Sequence, residues 1–245
     1  VLSTKAGNPV HAGPYGRGGS RKSLLNSLDE SLKDLGTDYV DVFYHHSPDL
    51  ATPLDETVGA LVTAVESGKA LYAGISNYQP DRAHEAAELL RAAGVPLLIQ
   101  QSRLNLFDRK IETNGLLDTA ERDGFGLIVF SPLAQGLLTD KYLDGIPAGA
   151  RAENSSFFPP HIIDDTYRER ASALNKIAAD RGQSLAQLAL QWAFRHPQVT
   201  SLLIGASSTR QLDDNLKAIE FPDLTRDELA LIDRYAIDGT AARNR

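Results

Sequence analysis

Six short apolar runs in this chain each end on groups able to take part in chemistry: Lys5, His46, Ser76 with Asn77, Gln101, Ser131, and Gly205. A histidine can move a proton or orient a carbonyl. A lysine at a strand end has three readings: a surface amine, a Schiff-base nucleophile, or a cation that tunes a neighbour's pKa. Hydroxyl and carboxamide side chains can grip a polar ligand. Gly205, Ala206 and Ser207 precede a helix, where free N–H groups and the dipole favour a phosphate, and Arg210 adds a cation. Taken singly, each has an ordinary reading. His45 and His46 read equally well as polar residues at a strand end, Gln101 as a partner for loop backbone, and Phe130 as core. Recurrence at every strand end is the signal.

The histidines close the run 39–48, where Val40, Val42, Phe43 and Tyr44 between Gly36 and Pro48 read as a buried strand. Alternation puts Tyr44 and His46 on one face and Phe43 and His45 on the other. Further strands are expected at 1–4, 70–75, 96–101, 127–130 and 200–204. Helical spacing lies between them. Leu24, Leu25, Leu28, Leu32 and Leu35 form one stripe stopped by Gly36, and Leu54, Val58, Leu61, Val62 and Val65 form the next. Thr52 reads as the N-cap of that second helix, with Pro53 at its first position. Other helices are expected at 80–94, 116–122 and 165–181, and after three cap pairs: Ser184 with Gln187, Ser208 with Gln211, and Thr225 with Glu228. A Gly/Pro-rich loop at 6–19 suits a lid, and its Arg17, with Arg21 beside it, would favour an anionic substrate. A second long loop, 133–163, carries Lys141 and Arg151.

Strand then helix, repeated about every 30 residues, predicts right-handed βαβ units and a parallel sheet. An open sheet gathers chemistry only near its switch point, whereas a parallel barrel gathers it at the C-terminal ends of all its strands. The expected fold is therefore α/β, a (β/α)8 TIM barrel of which about six βα units are present, in a single domain, 1–245. The net charge of −7 with scattered basic residues argues against nucleic acid or an anionic membrane as partner. No apolar run reaches the ~18 residues of a membrane span. With no cysteine, thiol chemistry and disulfides are excluded, and a cytoplasmic protein is the default.

These residues together resemble the aldo-keto reductases. The resemblance rests on Gly13-Pro14-Tyr15-Gly16, Gly18-Gly19-Ser20-Arg21-Lys22, Gly74-Ile75-Ser76-Asn77, the stretch 131–138, and 203–207 with Gln211 and Asn215. Within the family it is greatest to the branch that holds bacterial glyceraldehyde 3-phosphate reductases and potassium-channel β-subunits. The resemblance implies a (β/α)8 barrel that uses NADP (NADPH) to reduce a small aldehyde or ketone, with no metal, and it is compatible with a homo-oligomer. Carried over by position, Lys5 is the strand-end lysine that depresses a tyrosine's pKa, and His46 rather than His45 is the active-site histidine. Ser76, Asn77 and Gln101 would hold the nicotinamide carboxamide and Phe130 would stack on its ring. Ser131, Pro132, Leu133, Ala134, Gln135, Lys141 and Arg151 would close over the pyrophosphate. Gly205, Ser207, Gln211, Asp214 and Asn215 would meet the adenosine end.

The family's catalytic aspartate and tyrosine fall before the Lys5 strand, so no general acid is assigned in this chain. The chain also has no methionine and starts inside a strand, from which the first two strands of the barrel are expected to be missing. Two rival readings stand beside the reductase: a cofactor-binding sensor subunit of the channel β-subunit type, and a Schiff-base aldolase acting through Lys5.

Overall fold

The computed structural model describes residues 1–146 and 160–241; Arg151 lies outside the described residues. Six strands, β1 (Ser3–Ala6), β2 (Val40–His45), β3 (Ala70–Ser76), β4 (Leu97–Arg103), β5 (Gly126–Phe130) and β6 (Val199–Leu203), form one parallel sheet in sequence order. Helices alternate with them, so the chain has an α/β fold consistent with a (β/α)8 barrel. The register pairs Ala6 with His45, His45 with Ile75, and Ser76 with Gln101, which brings those strand ends level.

The chain divides into two compact units, one of 1–102 with 114–128 and one of 103–113 with 129–245. In the first, α1 (Arg21–Leu35) buries Leu24, Leu28 and Leu32 on one side, as a 3.6-residue stripe requires. Gly36 ends it in the left-handed region, where its N–H reaches back to the last carbonyls. Helix α2 (Leu54–Glu66) buries Leu54, Val58, Ala60 and Leu61, and α3 (Pro80–Ala92) starts on the proline that fits a first turn. Thr52 does not cap α2; its hydroxyl is bound by Asp49 at 2.7 Å, and Pro53 occupies the cap without a side-chain bond. The short α5 (Leu116–Asp123) completes this unit.

The second unit contains α4 (Lys110–Thr113), a turn with no periodic signal in the sequence, then α6 (Asp165–Asp180), α7 (Leu185–Phe194), α8 (Thr209–Leu216) and α9 (Arg226–Asp233). Its core holds Trp192, Tyr142 and Tyr167, all fully buried. Glu112 binds Arg109, Arg195 and His196, while both guanidiniums lie against the Trp192 ring. Ser184 and Gln187 form a reciprocal capping box at the start of α7, as do Thr225 and Glu228 at α9. At α8, Ser208 caps Gln211 N–H, but the Gln211 carboxamide turns instead to the Ser207 N–H and hydroxyl. Among the described residues no helix is long and apolar enough to cross a membrane.

Candidate active site

In the first unit the ends of β1 to β4 bring one connected set of polar side chains together. Lys5 Nζ donates to Gln101 Oε1 at 3.3 Å and stands 5.9 Å from the centre of the Tyr44 ring. The Asn77 carboxamide donates to the His46 carbonyl at 3.2 Å and to the Ser76 hydroxyl at 3.1 Å, and Asn77 N–H donates to Gln101 O at 3.0 Å. Asn77 takes φ 62°, a left-handed value that asparagine tolerates better than most residues. Lys5, His46, Ser76, Asn77 and Gln101 are thus gathered as the sequence pattern requires. Gly74 is what lets Tyr44 pack beside them, since a Cβ there would lie 2.5 Å from the Tyr44 ring.

Burial sets the electrostatics of this set. It lowers the Lys5 pKa below its ordinary value. For His46, burial first and then the Lys5 charge act in the same downward direction, so the imidazole is neutral near pH 7. Tyr44 is pushed up to about 12 by burial and keeps its proton.

His45, on the opposite face of β2, plays a different part. Only 1% of it is exposed, its Nδ1 lies 2.7 Å from Tyr78 Oη, and its Nε2 has no partner. Burial, reinforced by His46 and Arg82 against the opposing pull of Asp49, lowers its pKa to about 4. Gln100 shares that face and donates to Tyr78 O and Ser102 Oγ, both at 3.0 Å. Arg21 is committed to Gly59 O and Thr63 Oγ1 on α2, which removes it from the anion-binding role expected beside Arg17.

In the second unit a pocket of about 560 Å³ is lined by Ser131, Pro132, Leu133, Gln135, Lys141, Gly205, Ser207 and Gln211, with Tyr142. Its wall is a strained turn: Ser131, Ala134 and Gln135 all have positive φ. Asn105 braces that turn, donating to Ser131 O at 3.1 Å while its own carbonyl accepts from Phe107 N–H. Asn215 lies elsewhere. Nearly buried, with Nδ2 unpartnered, it lines a separate, more apolar pocket of about 840 Å³ beside β6. Asp214 faces Lys217 and lines neither pocket. The Phe130 ring carries the Arg103 guanidinium at 5.3 Å. Asp49, Tyr78 and Asn105 escaped the sequence reading; the first had a local clue, since an aspartate two residues before Ala51 N–H reads as an Asx turn.

The donor set fits a nicotinamide nucleotide. A carboxamide needs both donors and acceptors, which Ser76, Asn77 and Gln101 supply, and phosphate oxygens need the cation and hydroxyl that Lys141 and Ser207 supply. Gly205 adds a further observation. Its φ is not left-handed and a Cβ there would meet nothing within 4 Å, so neither backbone nor packing demands glycine. Among the described residues no three His, Asp or Glu side chains are placed to hold a metal ion.

A parallel α/β sheet whose strand ends gather lysine, histidine and carboxamides is the arrangement of a barrel-type enzyme. Comparison with known proteins makes this definite. The aldo/keto reductase family matches residues 1–237, and the chain belongs to that family. It is 49% identical over 243 residues to L-glyceraldehyde 3-phosphate reductase of Escherichia coli (strain K12), covering 98% of this chain and 70% of that protein. It is 39% identical over 222 residues to a probable voltage-gated potassium channel subunit beta of Oryza sativa subsp. japonica, covering 89% of this chain and 67% of that one.

Proposed function

We propose that this protein is an NADPH-dependent reductase of small aldehydes and ketones, with triose phosphates or methylglyoxal as the substrate class and the cytoplasm as its place. The observation that carries the reading is the linked set Lys5, Gln101, Asn77 and His46 in the first unit. When bound, the nicotinamide supplies the hydride that reduces the carbonyl carbon. Ser76, Asn77 and Gln101 are the residues for its carboxamide. The Lys5 bond to Gln101 Oε1 fixes that carboxamide's orientation, so the Gln101 NH₂ group is free to face a ligand carbonyl. His46, neutral near pH 7, orients the substrate carbonyl by a hydrogen bond that strengthens as negative charge develops on oxygen. By the family resemblance Lys5 is the cation that lowers the pKa of a proton-donating phenol; Tyr44 beside it, pushed up to about 12 by burial, is not assigned that role. In the second unit, Ser131 to Gln135 with Lys141, and Ser207 with Gln211, are the residues for phosphate and ribose oxygens.

Identity of 49% to a glyceraldehyde 3-phosphate reductase supports the triose-phosphate class, and a histidine at position 46 supports turnover over a purely sensory role. The test is steady-state loss of reduced nicotinamide with each aldehyde, for both nucleotides. Tight NADPH binding without turnover of any aldehyde would favour a sensor. Borohydride trapping of substrate on Lys5 would favour the aldolase.

A further inference from the structure

The Gly-rich loop after β1 is closed at its base by groups the reductase reading leaves unused. Gly18 N–H donates to Gly7 O at 2.8 Å, and inside that neck Val10 N–H donates to Gly16 O at 2.9 Å. Both peptide groups of Gly19 are then held from α2 and the segment before it: Asp49 Oδ2 accepts from Gly19 N–H at 2.8 Å, and Thr57 Oγ1 donates to Gly19 O at 2.9 Å. The fit is close. A Cβ at Gly18 would lie 2.8 Å from Asp49 Oδ2, and one at Gly19 would lie 2.5 Å from Thr57 Oγ1. The imidazole of His45 backs the neck, 2.9 Å from a Cβ built at Gly7 and 3.2 Å from one at Gly19. Between these anchors residues 8–15 are exposed.

Asp49 is built for this task. Its carboxylate also accepts from Ala51 N–H at 2.9 Å and Thr52 Oγ1 at 2.7 Å. The bond from Gly19 and then the one from Thr52, against the opposing effect of burial, hold its pKa at about 2, so the anchor is ionised at any working pH. The loop it anchors begins beside the site. Lys5 is two residues before Gly7, His46 N–H donates to Ala6 O at 2.8 Å, and the Ser47 hydroxyl donates to Asn8 Oδ1 at 3.4 Å. Arg17 sits between two hydrogen-bonded neighbours, Gly16 and Gly18, so its backbone is fixed when the neck is fixed. It is exposed and forms no salt bridge with a described carboxylate.

We propose that Asp49 is a positioning residue for the reaction: by latching the neck of the 7–19 loop it holds Arg17 at the rim, where the guanidinium binds the anionic end of a phosphorylated aldehyde. This rests on the reductase reading and deepens it, because it assigns charge selectivity to one loop and the geometry of that loop to one carboxylate.

The test uses the full protein and two aldehydes, glyceraldehyde 3-phosphate and uncharged methylglyoxal. Asp49→Ala is expected to raise KM for the phosphorylated aldehyde by about tenfold or more, the scale of a lost charge-assisted contact. Turnover of methylglyoxal and NADPH affinity should change less than about threefold, since uniform binding of the other parts is untouched. Hydrogen exchange at the Gly18 and Gly19 amides should accelerate in the same variant, and Asp49→Asn, which keeps one acceptor oxygen, should recover part of both effects. Arg17→Ala should reproduce the KM change without faster exchange. Equal losses with both aldehydes, or unchanged exchange at Gly19 in Asp49→Ala, would overturn the proposal. Wild-type protein that reduces neither aldehyde would instead sink the reductase reading and Arg17's role with it, while exchange at Gly19 still decides whether Asp49 is the latch.

Discussion

Replacing His45 by asparagine should flatten the pH dependence of stability in one window. His45 is 1% exposed, and burial lowers its folded-state pKa to about 4 from an ordinary 6.5. The unfolded chain therefore binds a proton near pH 5 that the folded chain refuses. Stability from this source is fully present above about pH 6.5 and is lost as pH falls toward 4. Integrating between those two pKa values gives a loss of about 2 kcal/mol from roughly pH 7.5 to pH 5. The substituted carboxamide would keep an acceptor near Tyr78 Oη and remove the titrating group. Baseline stability of His45→Asn should be lower, because the missing ring leaves a cavity. The slope is what matters, and it is read as the difference between wild type and variant in urea unfolding at the two pH values. Asp49, His46 and Arg82 also act on His45, and their effect is already contained in its folded-state value of about 4, so the difference reads the whole His45 contribution. Parallel loss of stability in wild type and variant would refute the reasoning, because it would mean that His45 is solvated or already charged.

Glu112→Gln should destabilise the second unit by about 3 kcal/mol in thermal or denaturant unfolding, since Arg195 would keep its charge against Trp192 without its ion-pair partner while Arg109 would be left with Asp233. Burial alone would raise the Glu112 pKa, but bonds from His196 and Arg109 and the charge of Arg195 outweigh it and hold the group at about 2, against 4.5 ordinarily. Its contribution is therefore present above about pH 4.5 and lost as pH falls toward 2, so acid unfolding of the variant should be shallower in that range. Asn105→Ala should cost about 1–3 kcal/mol by leaving Phe107 N–H unpaired and Ser131 O with Ala134 N–H as its remaining donor, and should weaken NADPH binding in a fluorescence titration. Lys5→Met should lower kcat by on the order of a hundredfold with an unchanged melting temperature, because this half-buried amine forms no ion pair among the described residues.

Local signals carried most of the fold. The strand ending at His45 and the Ser184–Gln187 box formed as their spacing requires, and of the five-leucine stripe Leu24, Leu28 and Leu32 are buried, Leu25 is half-buried and Leu35, at the helix end, is 46% exposed. The rule failed where a neighbour competed. Thr52 had the right place for a cap, but an ionised carboxylate three residues earlier is a stronger partner than a helix N–H. The strand-end groups were legible because a parallel sheet brings its ends level whatever the loops do. The Glu112 network was not, because Arg195 and His196 lie 83 and 84 residues away from it and no local pattern joins them. Asn215 was assigned by its motif position, yet it lines the pocket beside β6 rather than the one that holds Ser207 and Gln211.

Tandem histidines at a strand end invite the assumption of one shared task, and the pleat divides them instead. A one-residue step turns a side chain to the opposite face, so His46 stays with Lys5 and the carboxamides while His45 enters the layer between sheet and loops. There it meets the Tyr78 hydroxyl, on the residue that follows Asn77, and backs the neck of the loop at Gly7 and Gly19. Asn77 in turn binds the His46 carbonyl. The supporting histidine thus reaches its neighbour's site by two routes, through Tyr78 to Asn77 and through the glycines to the residues that flank Lys5. A functional side chain holds its geometry only when its neighbours are themselves packed and bonded, and in this sheet that support comes from the same strand, one residue earlier, on the opposite face of the pleat.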